Sequence, residues 1–375
     1  MLNSEDLATV NGVHSYVART PFASTNVTVL SGGSGNYTYR LRLAEPYLGR
    51  ETAVLKHGKA WLPADKTFPL ALDRQRYDVE AMRRVRAVLP ATSLVTTPEI
   101  YVFDEDANVI IMEDGGTLTL KALLLQDGAL AVSSARTIGS ALGTFLAQVH
   151  VWGRDGQVLD FFDGNLQART LSAWATYGRI VSTLSAPHDL PALRDPPLEV
   201  PEDQLKVLTE VADTTADAMR SARETVVHGD FWPGNVMVKL GGEGDEIGVE
   251  RIYILDWELS KPSLPGFDIG QFFAEVHLAR SFYPRCEASA SVLLTTFLTA
   301  YREGTRQEVM ARVAGLTLTH FGAHTVAWTP RTPTWGDKEI VRKVVMDGVR
   351  YLLGAGEEED DLSQSMFGPL LGHGL

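Results

Sequence analysis

Two short polar segments carry the residue types that phosphoryl-transfer chemistry uses. The first reads His228-Gly-Asp-Phe-Trp-Pro-Gly-Asn235, and the second reads Ile254-Leu-Asp-Trp-Glu258. Asp230 can orient and deprotonate an attacking hydroxyl, while Asn235 and Asp256 can hold a Mg²⁺ ion that neutralises a triphosphate. The sequence therefore predicts Asp230 as the catalytic residue and Asn235 and Asp256 as metal ligands.

The neighbours of these residues leave alternatives open. His228 is expected to fix the loop by hydrogen bonding, because Asp230 already takes the position of the base. Trp232 either packs against the loop or lines the acceptor site. Asp256 follows a buried strand, so its carboxylate must be paired or metal-bound. Glu258 is either a further metal ligand that also meets the substrate, or a hydrogen-bond partner of the loop.

A glycine-rich loop near the N-terminus is a candidate phosphate-binding element. Residues 27–56 alternate in polarity like paired strands, and Ser31-Gly-Gly-Ser-Gly-Asn36 connects two of them. Glycine allows backbone N–H groups to approach phosphates, although such clusters also form plain hairpin turns. No Gly-Lys-Ser/Thr follows, so the loop is not a Walker A motif. The residues predicted to bind the nucleotide here are Ser31, Gly32, Gly33 and Asn36.

A lysine and a carboxylate are predicted to hold the phosphates. Lys56 ends the apolar run Ala53-Val-Leu-Lys56, and residues 74–88 follow with the periodicity of a helix. Glu80 on that helix is the predicted partner of the Lys56 ammonium. The plainer alternatives are a solvated lysine and a surface carboxylate beside Arg83.

Residues 100–103 and 109–112 read as two further strands of a small sheet lobe, after which the pattern becomes helical from about residue 117. A hinge between the lobes would present backbone groups to adenine at Met112, Glu113 and Asp114. The predicted boundaries are 1–115 for a nucleotide-binding lobe, 116–356 for a catalytic and acceptor-binding lobe, and 357–375 for an acidic, mobile tail.

Composition excludes several classes of function. The formal charge of −13 over 375 residues argues against a nucleic-acid partner. The single cysteine, Cys286, excludes an internal disulfide. No leader is read at the N-terminus and no apolar run approaches a membrane span, so a cytoplasmic location is expected. His320 and His324 have zinc-ligand spacing without the accompanying glutamate, which favours core or pocket histidines.

The motifs resemble those of the aminoglycoside phosphotransferase/choline kinase family. The spacing from Asp230 to Asn235 equals that of the protein-kinase catalytic loop, with Gly229 in place of its arginine, and Asp256-Trp-Glu stands where protein kinases have Asp-Phe-Gly. The resemblance covers roughly residues 27–353. It implies that Asp268 holds the backbone of the catalytic loop.

The resemblance implies an α+β, bilobal, protein-kinase-like fold, with a small sheet N-lobe, a mainly helical C-lobe and ATP between them. The implied reaction moves the γ-phosphate of Mg-ATP to a hydroxyl of a small metabolite. Two subgroups look most similar: 4-hydroxytryptamine kinases, through Tyr253-Ile-Leu-Asp-Trp-Glu-Leu259 and Trp328, and methylthioribose kinases, through Phe267-Asp-Ile-Gly270. A hydroxyindole amine, with Trp328 and Trp232 at the acceptor, is the main expectation. A sugar kinase and a catalytically silent nucleotide-binding protein are the alternatives.

Overall fold

The computed structural model describes residues 6–31, 33, 35–126, 130–185, 189–242, 248–332, 335–354 and 366–372. The chain divides into two compact units. The first contains Met1–Thr117 together with Ile252–Glu258, and the second contains Leu118–Arg251 and Leu259–Leu375. The division after Thr117 lies two residues beyond the boundary expected from the sequence, and residues 252–258 return to the first unit.

The first unit is built on an antiparallel five-stranded sheet. The elements of this unit are α1 Val10–Val17, β1 Ser24–Val29, β2 Asn36–Tyr47, β3 Arg50–Gly58, β4 Trp61–Leu62, β5 Asp65–Pro69, α2 Arg74–Val88, β6 Val95–Thr96, β7 Ile100–Asp104 and β8 Val109–Glu113. The strands of the sheet follow the order β1-β2-β3-β8-β7. The apolar face of the sheet, which includes Val27, Leu41 and Leu55, packs on α1 through Val13 and Val17.

The second unit is mainly helical. Its helices are α3 Leu120–Leu125, α4 Val132–Trp152, α5 Gly156–Asp163, α6 Leu166–Thr176, α7 Ile180–Ser185, α8 Pro191–Arg194, α9 Glu202–Ser221, α10 Gly266–Phe282, α11 Glu287–Glu303, α12 Met310–Trp328, α13 Lys338–Leu353 and α14 Gly368–Leu371. Its strands are β9 Thr225–Val227, β10 Val236–Gly241 and β12 Lys261–Ser263, and β11 Gly248–Ile254 starts in this unit and ends in the first. The predicted α+β class, with strands first and helices after, is confirmed.

Two connections set the polar segments at strand ends. In the first unit, β11 pairs with β6 in parallel, Ile252 opposite Val95, so that Asp256 follows the end of a buried strand. In the second unit, β9 pairs with β12 antiparallel, Val227 opposite Lys261, and the loop that begins at His228 leaves the end of β9. Each polar segment therefore follows a strand whose backbone is held by pairing with a neighbouring strand.

The C-terminal segment differs in part from the expected mobile tail. Residues 357–365 lie outside the described residues, but Phe367 and Leu370 are fully buried. The Phe367 ring lies 4.5 Å from that of Phe273 and 5.7 Å from that of Phe321, between centroids. These apolar side chains hold the end of the chain on the second unit, which the acidic run before them did not indicate. Among the described residues, no helix has the length and apolar character to cross a membrane.

We expect two glycine substitutions to change stability in opposite directions. A Cβ at Gly143 in α4 would lie 2.2 Å from the carbonyl oxygen of Phe297 in α11, whereas a Cβ at Gly315 in α12 meets nothing within 4 Å. Alanine gains about 1 kcal/mol in helix propensity, but overpacking costs about 1–3 kcal/mol. Thermal melting should show a lower Tm for Gly143→Ala and a higher Tm for Gly315→Ala. A rise for both would contradict this close helix contact.

Candidate active site

The first unit buries the ammonium of Lys56 between two carboxylates. Lys56 Nζ donates to Asp78 Oδ2 at 2.8 Å and also to Asp256 Oδ1, and the lysine is 4% exposed. Burial alone would lower the pKa of Lys56, but the carboxylates of Asp256, Asp78 and Glu258 outweigh burial and raise it. Lys56 therefore stays charged, as a phosphate-binding lysine must.

The prediction that Glu80 is the partner of Lys56 is wrong. Glu80 pairs instead with Arg84, 3.1 Å away, and with Arg83, 3.6 Å away, on the outer side of α2. Asp78 takes the inner position, where it also accepts the backbone N–H of Trp257 at 2.8 Å. The spacing of the sequence favours Asp78, because it shares a helical stripe with Met82 and Val85, which are fully buried.

Asp256 has a backbone conformation that residues other than glycine rarely adopt. Its φ angle is +60°. Such strain costs about 1–3 kcal/mol and occurs mostly at functional sites. Trp257, which is fully buried and donates its indole N–H to the carbonyl of Ile254 at 3.1 Å, holds the segment in place. The turn directs the Asp256 carboxylate to Lys56.

Glu258 contacts the glycine-rich loop. Glu258 Oε2 accepts from Asn36 Nδ2 at 2.9 Å and from Arg74 Nε at 3.2 Å. Arg74 also donates to the carbonyl of Gly35 at 2.7 Å, and a Cβ at Gly35 would lie 2.3 Å from Glu258 Oε1. Burial raises the pKa of Glu258, against the opposing charges of Arg74 and Lys56. Glu258 and Arg74, which the sequence reasoning missed, therefore hold the glycine-rich loop rather than the loop of Asp230, and the role of Glu258 as a metal ligand stays a prediction.

The other residues predicted at the nucleotide lie on this loop and at the end of β8. Ser31 and Gly33 are exposed, and Gly32 lies outside the described residues. Met112 is buried in β8 opposite Val54 of β3. The contacts expected between these residues and the phosphates or adenine of a nucleotide stay predictions.

The predicted hinge is fixed by ion pairs. Glu113 is buried, accepts from Arg50 and from the hydroxyl of Tyr253 at 2.9 Å each, and donates its N–H to the carbonyl of Glu99 at 2.8 Å. Asp114 accepts two bonds from Arg40, at 2.6 and 3.0 Å. Since the N–H of Glu113 is already donated to Glu99, an N–H donated to an adenine would come from Asp114 or beyond.

In the second unit, a buried aspartate holds the loop that carries Asp230. Asp268 accepts the N–H groups of His228 at 2.7 Å and Gly229 at 2.9 Å, and lies 3.1 Å from His150 Nε2. Burial would raise the pKa of Asp268, but the hydrogen bond and charge of His150 lower it overall. His228 accepts the N–H of Asp230 at Nδ1, 3.2 Å away. These are the loop-fixing roles expected for Asp268 and His228.

Two amides hold the Asp230 carboxylate. Asn235 Nδ2 donates to Oδ2 at 2.9 Å and to the Asp230 carbonyl at 3.0 Å, and Gln271 Nε2 donates to Oδ1 at 2.7 Å. Gln271 belongs to α10, one turn after Asp268. The sequence reasoning missed Gln271, because a single glutamine within a helix gives no sign of a partner 41 residues away.

Gly229 stands in place of the protein-kinase arginine for a local steric reason. Its φ angle is +82°, and a Cβ would lie 2.3 Å from the carbonyl oxygen of Leu259 and 2.7 Å from Lys261 Nζ. Lys261 is buried and donates to Ser172 Oγ at 2.9 Å. Burial lowers the pKa of Lys261 to about 8, against the opposing charges of Asp268 and Asp230. The buried ammonium occupies the space beside the loop.

The two tryptophans predicted at the acceptor lie in different surroundings. The Trp232 ring is half-buried, with the ammonium of Lys121 4.8 Å from its centroid. Trp328 donates its indole N–H to Thr176 Oγ1 at 3.3 Å, and the guanidinium carbon of Arg179 lies 5.0 Å from its ring centroid. Each indole ring therefore lies close to a cation, which the electron-rich face of an indole attracts.

The histidine pair of α12 serves the packing of the second unit. His320 Nδ1 lies 2.8 Å from the hydroxyl of Tyr177, and burial, with the charge of His324, lowers the pKa of His320 to about 3. His324 Nε2 lies 3.0 Å from Glu275 Oε1. Within the described part of the chain, no group of three or more His, Cys, Asp or Glu side chains could hold a metal ion. The preference for pocket or core histidines agrees with these contacts.

Each unit offers one oxygen donor of the kind that Mg²⁺ takes. Mg²⁺ uses one or two protein oxygens and takes the rest from water and phosphate. Asp256 offers a carboxylate, and Asn235 uses its nitrogen for Asp230, so that a cation would contact its Oδ1. Lys56 offers a buried charge for phosphate.

Comparisons with known proteins agree with this chemistry. Residues 26–316 match the model of the phosphotransferase enzyme family, APH. The chain belongs to this family. It is a phosphotransferase, an ATP-dependent kinase of small molecules. A protein named 4-hydroxytryptamine kinase from Psilocybe cubensis is 31% identical, with 95% of each chain covered. A protein of the same name from Psilocybe cyanescens is 28% identical, with 94% of each covered.

A solved structure supports the fold. The GDP complex of a mutant of the aminoglycoside 2'-phosphotransferase-IIIa matches with a TM-score of 0.50 at 13% identity, covering 92% of this chain and 97% of that one. The chain therefore has the protein-kinase-like fold that the sequence motifs implied.

We expect Asp78, and not Glu80, to support nucleotide binding. Asp78→Asn removes the buried charge that faces Lys56, and breaking one partner of a buried pair costs about 3–5 kcal/mol. Titration calorimetry with Mg-ADP should show at least about a tenfold weaker affinity for Asp78→Asn. Glu80→Gln is the matched control and should bind like wild type. Equal affinity in both variants would contradict the assignment of Asp78.

Gln271→Met should lower kcat and leave the KM for ATP unchanged. The variant removes a hydrogen bond to a carboxylate, worth about 1.5–3 kcal/mol, so kcat should fall about tenfold or more. The measurement is steady-state ADP release, with thermal melting as a check of folding and the exposed Gln157→Met as control. If Gln271 has only a structural role, the substitution would instead lower Tm, or it would raise the KM values for ATP and for the acceptor without a selective loss of kcat.

Proposed function

We propose that this kinase phosphorylates the hydroxyl of a hydroxyindole amine. The observation that carries the proposal is the Asp230 carboxylate, which Gln271 and Asn235 hold on a loop anchored by Asp268. A carboxylate fixed in this way can accept a hydrogen bond from an alcohol and orient its oxygen for attack. The names of the two Psilocybe relatives supply the acceptor class.

The remaining residues have distinct roles in the proposed reaction. Lys56, held by Asp78, binds phosphate oxygens, and the loop that ends at Asn36 covers them. Mg²⁺, held by Asp256 and Asn235, would neutralise charge on the phosphates of ATP. Glu258 and Arg74 fix the loop. The reaction then depends on positioning and charge compensation, which is how phosphoryl transfer is generally catalysed.

The test is ADP release from Mg-ATP with a panel of acceptors that includes 4-hydroxytryptamine, methylthioribose, choline and an aminoglycoside. We expect turnover with 4-hydroxytryptamine above the ATP-only background. Asp230→Asn should reduce this turnover about a hundredfold or more, because the base is lost. Asp217→Asn, an exposed helix carboxylate, is the matched control.

Three results would contradict the proposal. Turnover with methylthioribose alone would establish the sugar kinase alternative. Nucleotide binding without turnover on any acceptor would favour the silent binding protein. Unchanged turnover in Asp230→Asn would remove Asp230 from the mechanism.

A further inference from the structure

A cation in the second unit lies among two indole rings and a carboxylate. The ammonium of Lys121 is 4.8 Å from the ring centroid of Trp232 and 5.1 Å from that of Trp335. Its Nζ is 3.3 Å from Glu275 Oε2. We call Trp232, Trp335 and Glu275 the ammonium cage. Nothing in the reaction described above requires a lysine at this place.

The walls of the cage are held by other residues. Trp335 is 5% exposed and stacks on Phe282, with 4.9 Å between centroids and 17° between planes. The Trp232 ring covers Gly234, where a Cβ would lie 2.2 Å from the indole. Each ring therefore has a packing contact besides the one with the lysine.

The carboxylate of the cage is charged and oriented. Glu275 Oε1 lies 3.0 Å from His324 Nε2, while the other carboxylate oxygen meets the lysine. Burial would raise the pKa of Glu275, but the hydrogen bond of His324 and the charges of His324 and Lys121 lower it below its ordinary value. Two indole faces and an anionic oxygen are the groups that recognise an alkylammonium.

Two residues of the cage belong to the elements that carry and hold the predicted base. Trp232 follows Asp230 by two residues, and Glu275 follows Gln271 by four on α10. Since a helix rises 1.5 Å per residue, Glu275 lies about 6 Å along α10 from the residue that holds Asp230, on the same face. A flat ring that carries a hydroxyl and a short amine arm has a length of this order.

We propose that the ammonium cage is the subsite for the amine of the acceptor, and that Lys121 occupies it until the acceptor binds. The inference rests on the proposed function, because it assigns one end of the same acceptor. The Lys121 side chain is 25% exposed and belongs to the first turn of α3, so it can extend into solvent. An incoming alkylammonium then replaces the lysine between the rings, and the charge of Glu275 remains compensated.

The experiment measures binding of tryptamine, which has the amine and lacks the hydroxyl, by titration calorimetry. Wild type should bind tryptamine at least about tenfold more tightly than the uncharged 3-ethylindole. Lys121→Met should bind tryptamine about threefold or more tightly than wild type, because the internal competitor is gone. Glu275→Gln should bind tryptamine about tenfold more weakly. Lys343→Met, at a lysine 75% exposed, is the control and should bind like wild type.

The sign of the Lys121→Met effect decides the proposal. Weaker or unchanged tryptamine binding in this variant would overturn it, because Lys121 would then be a contact or a bystander. Equal affinity of wild type for tryptamine and 3-ethylindole would also overturn it, and this result does not depend on any variant folding. Binding as expected, without turnover of 4-hydroxytryptamine, would support the cage and refute the proposed reaction.

Discussion

The ammonium of Lys56 constrains the whole first unit. A buried charge without a partner costs several kcal/mol, so the lysine needs the carboxylates of Asp78 and Asp256. This requirement joins β3 and α2 to the segment 252–258, in which Asp256 lies 200 residues after Lys56. The strained φ angle of Asp256 is the local cost of directing its carboxylate to the lysine. Glu258, two residues on, then secures the glycine-rich loop through Asn36.

Helix α10 has the corresponding role in the second unit. Asp268, Gln271 and Glu275 follow one another at spacings of three and four residues, which places them on one helical face. Asp268 holds the loop backbone, Gln271 holds the Asp230 carboxylate, and Glu275 contacts Lys121. A single rigid element thus positions the base and the proposed amine subsite. Gly229, which has no side chain to clash with Lys261, allows the loop to pack closely.

Local sequence was sufficient to select residues that the structure brings into contact. Asn235 lies beside Asp230, and Lys56 lies beside Asp256, while the catalytic and metal-binding roles of these residues stay predictions. The prediction of Glu80 as the partner of Lys56 failed. Asp78 and Glu80, two residues apart on a helix, face directions about 200° apart, and only Asp78 lies on the buried stripe. The contacts of Gln271 and Lys121 join distant segments through tertiary packing. No local pattern predicts such partners.

The kinase assignment is tested most directly by the chemical identity of the product. Phosphorus NMR can follow Mg-ATP with 4-hydroxytryptamine in the presence of the wild-type protein. The account predicts that ADP and a new phosphate monoester resonance grow together and in equal amounts, with the ester on the hydroxyl oxygen. ADP with inorganic phosphate and no ester would mean that water accepts the phosphoryl group. That result would contradict the assignment of a small-molecule acceptor beside Asp230.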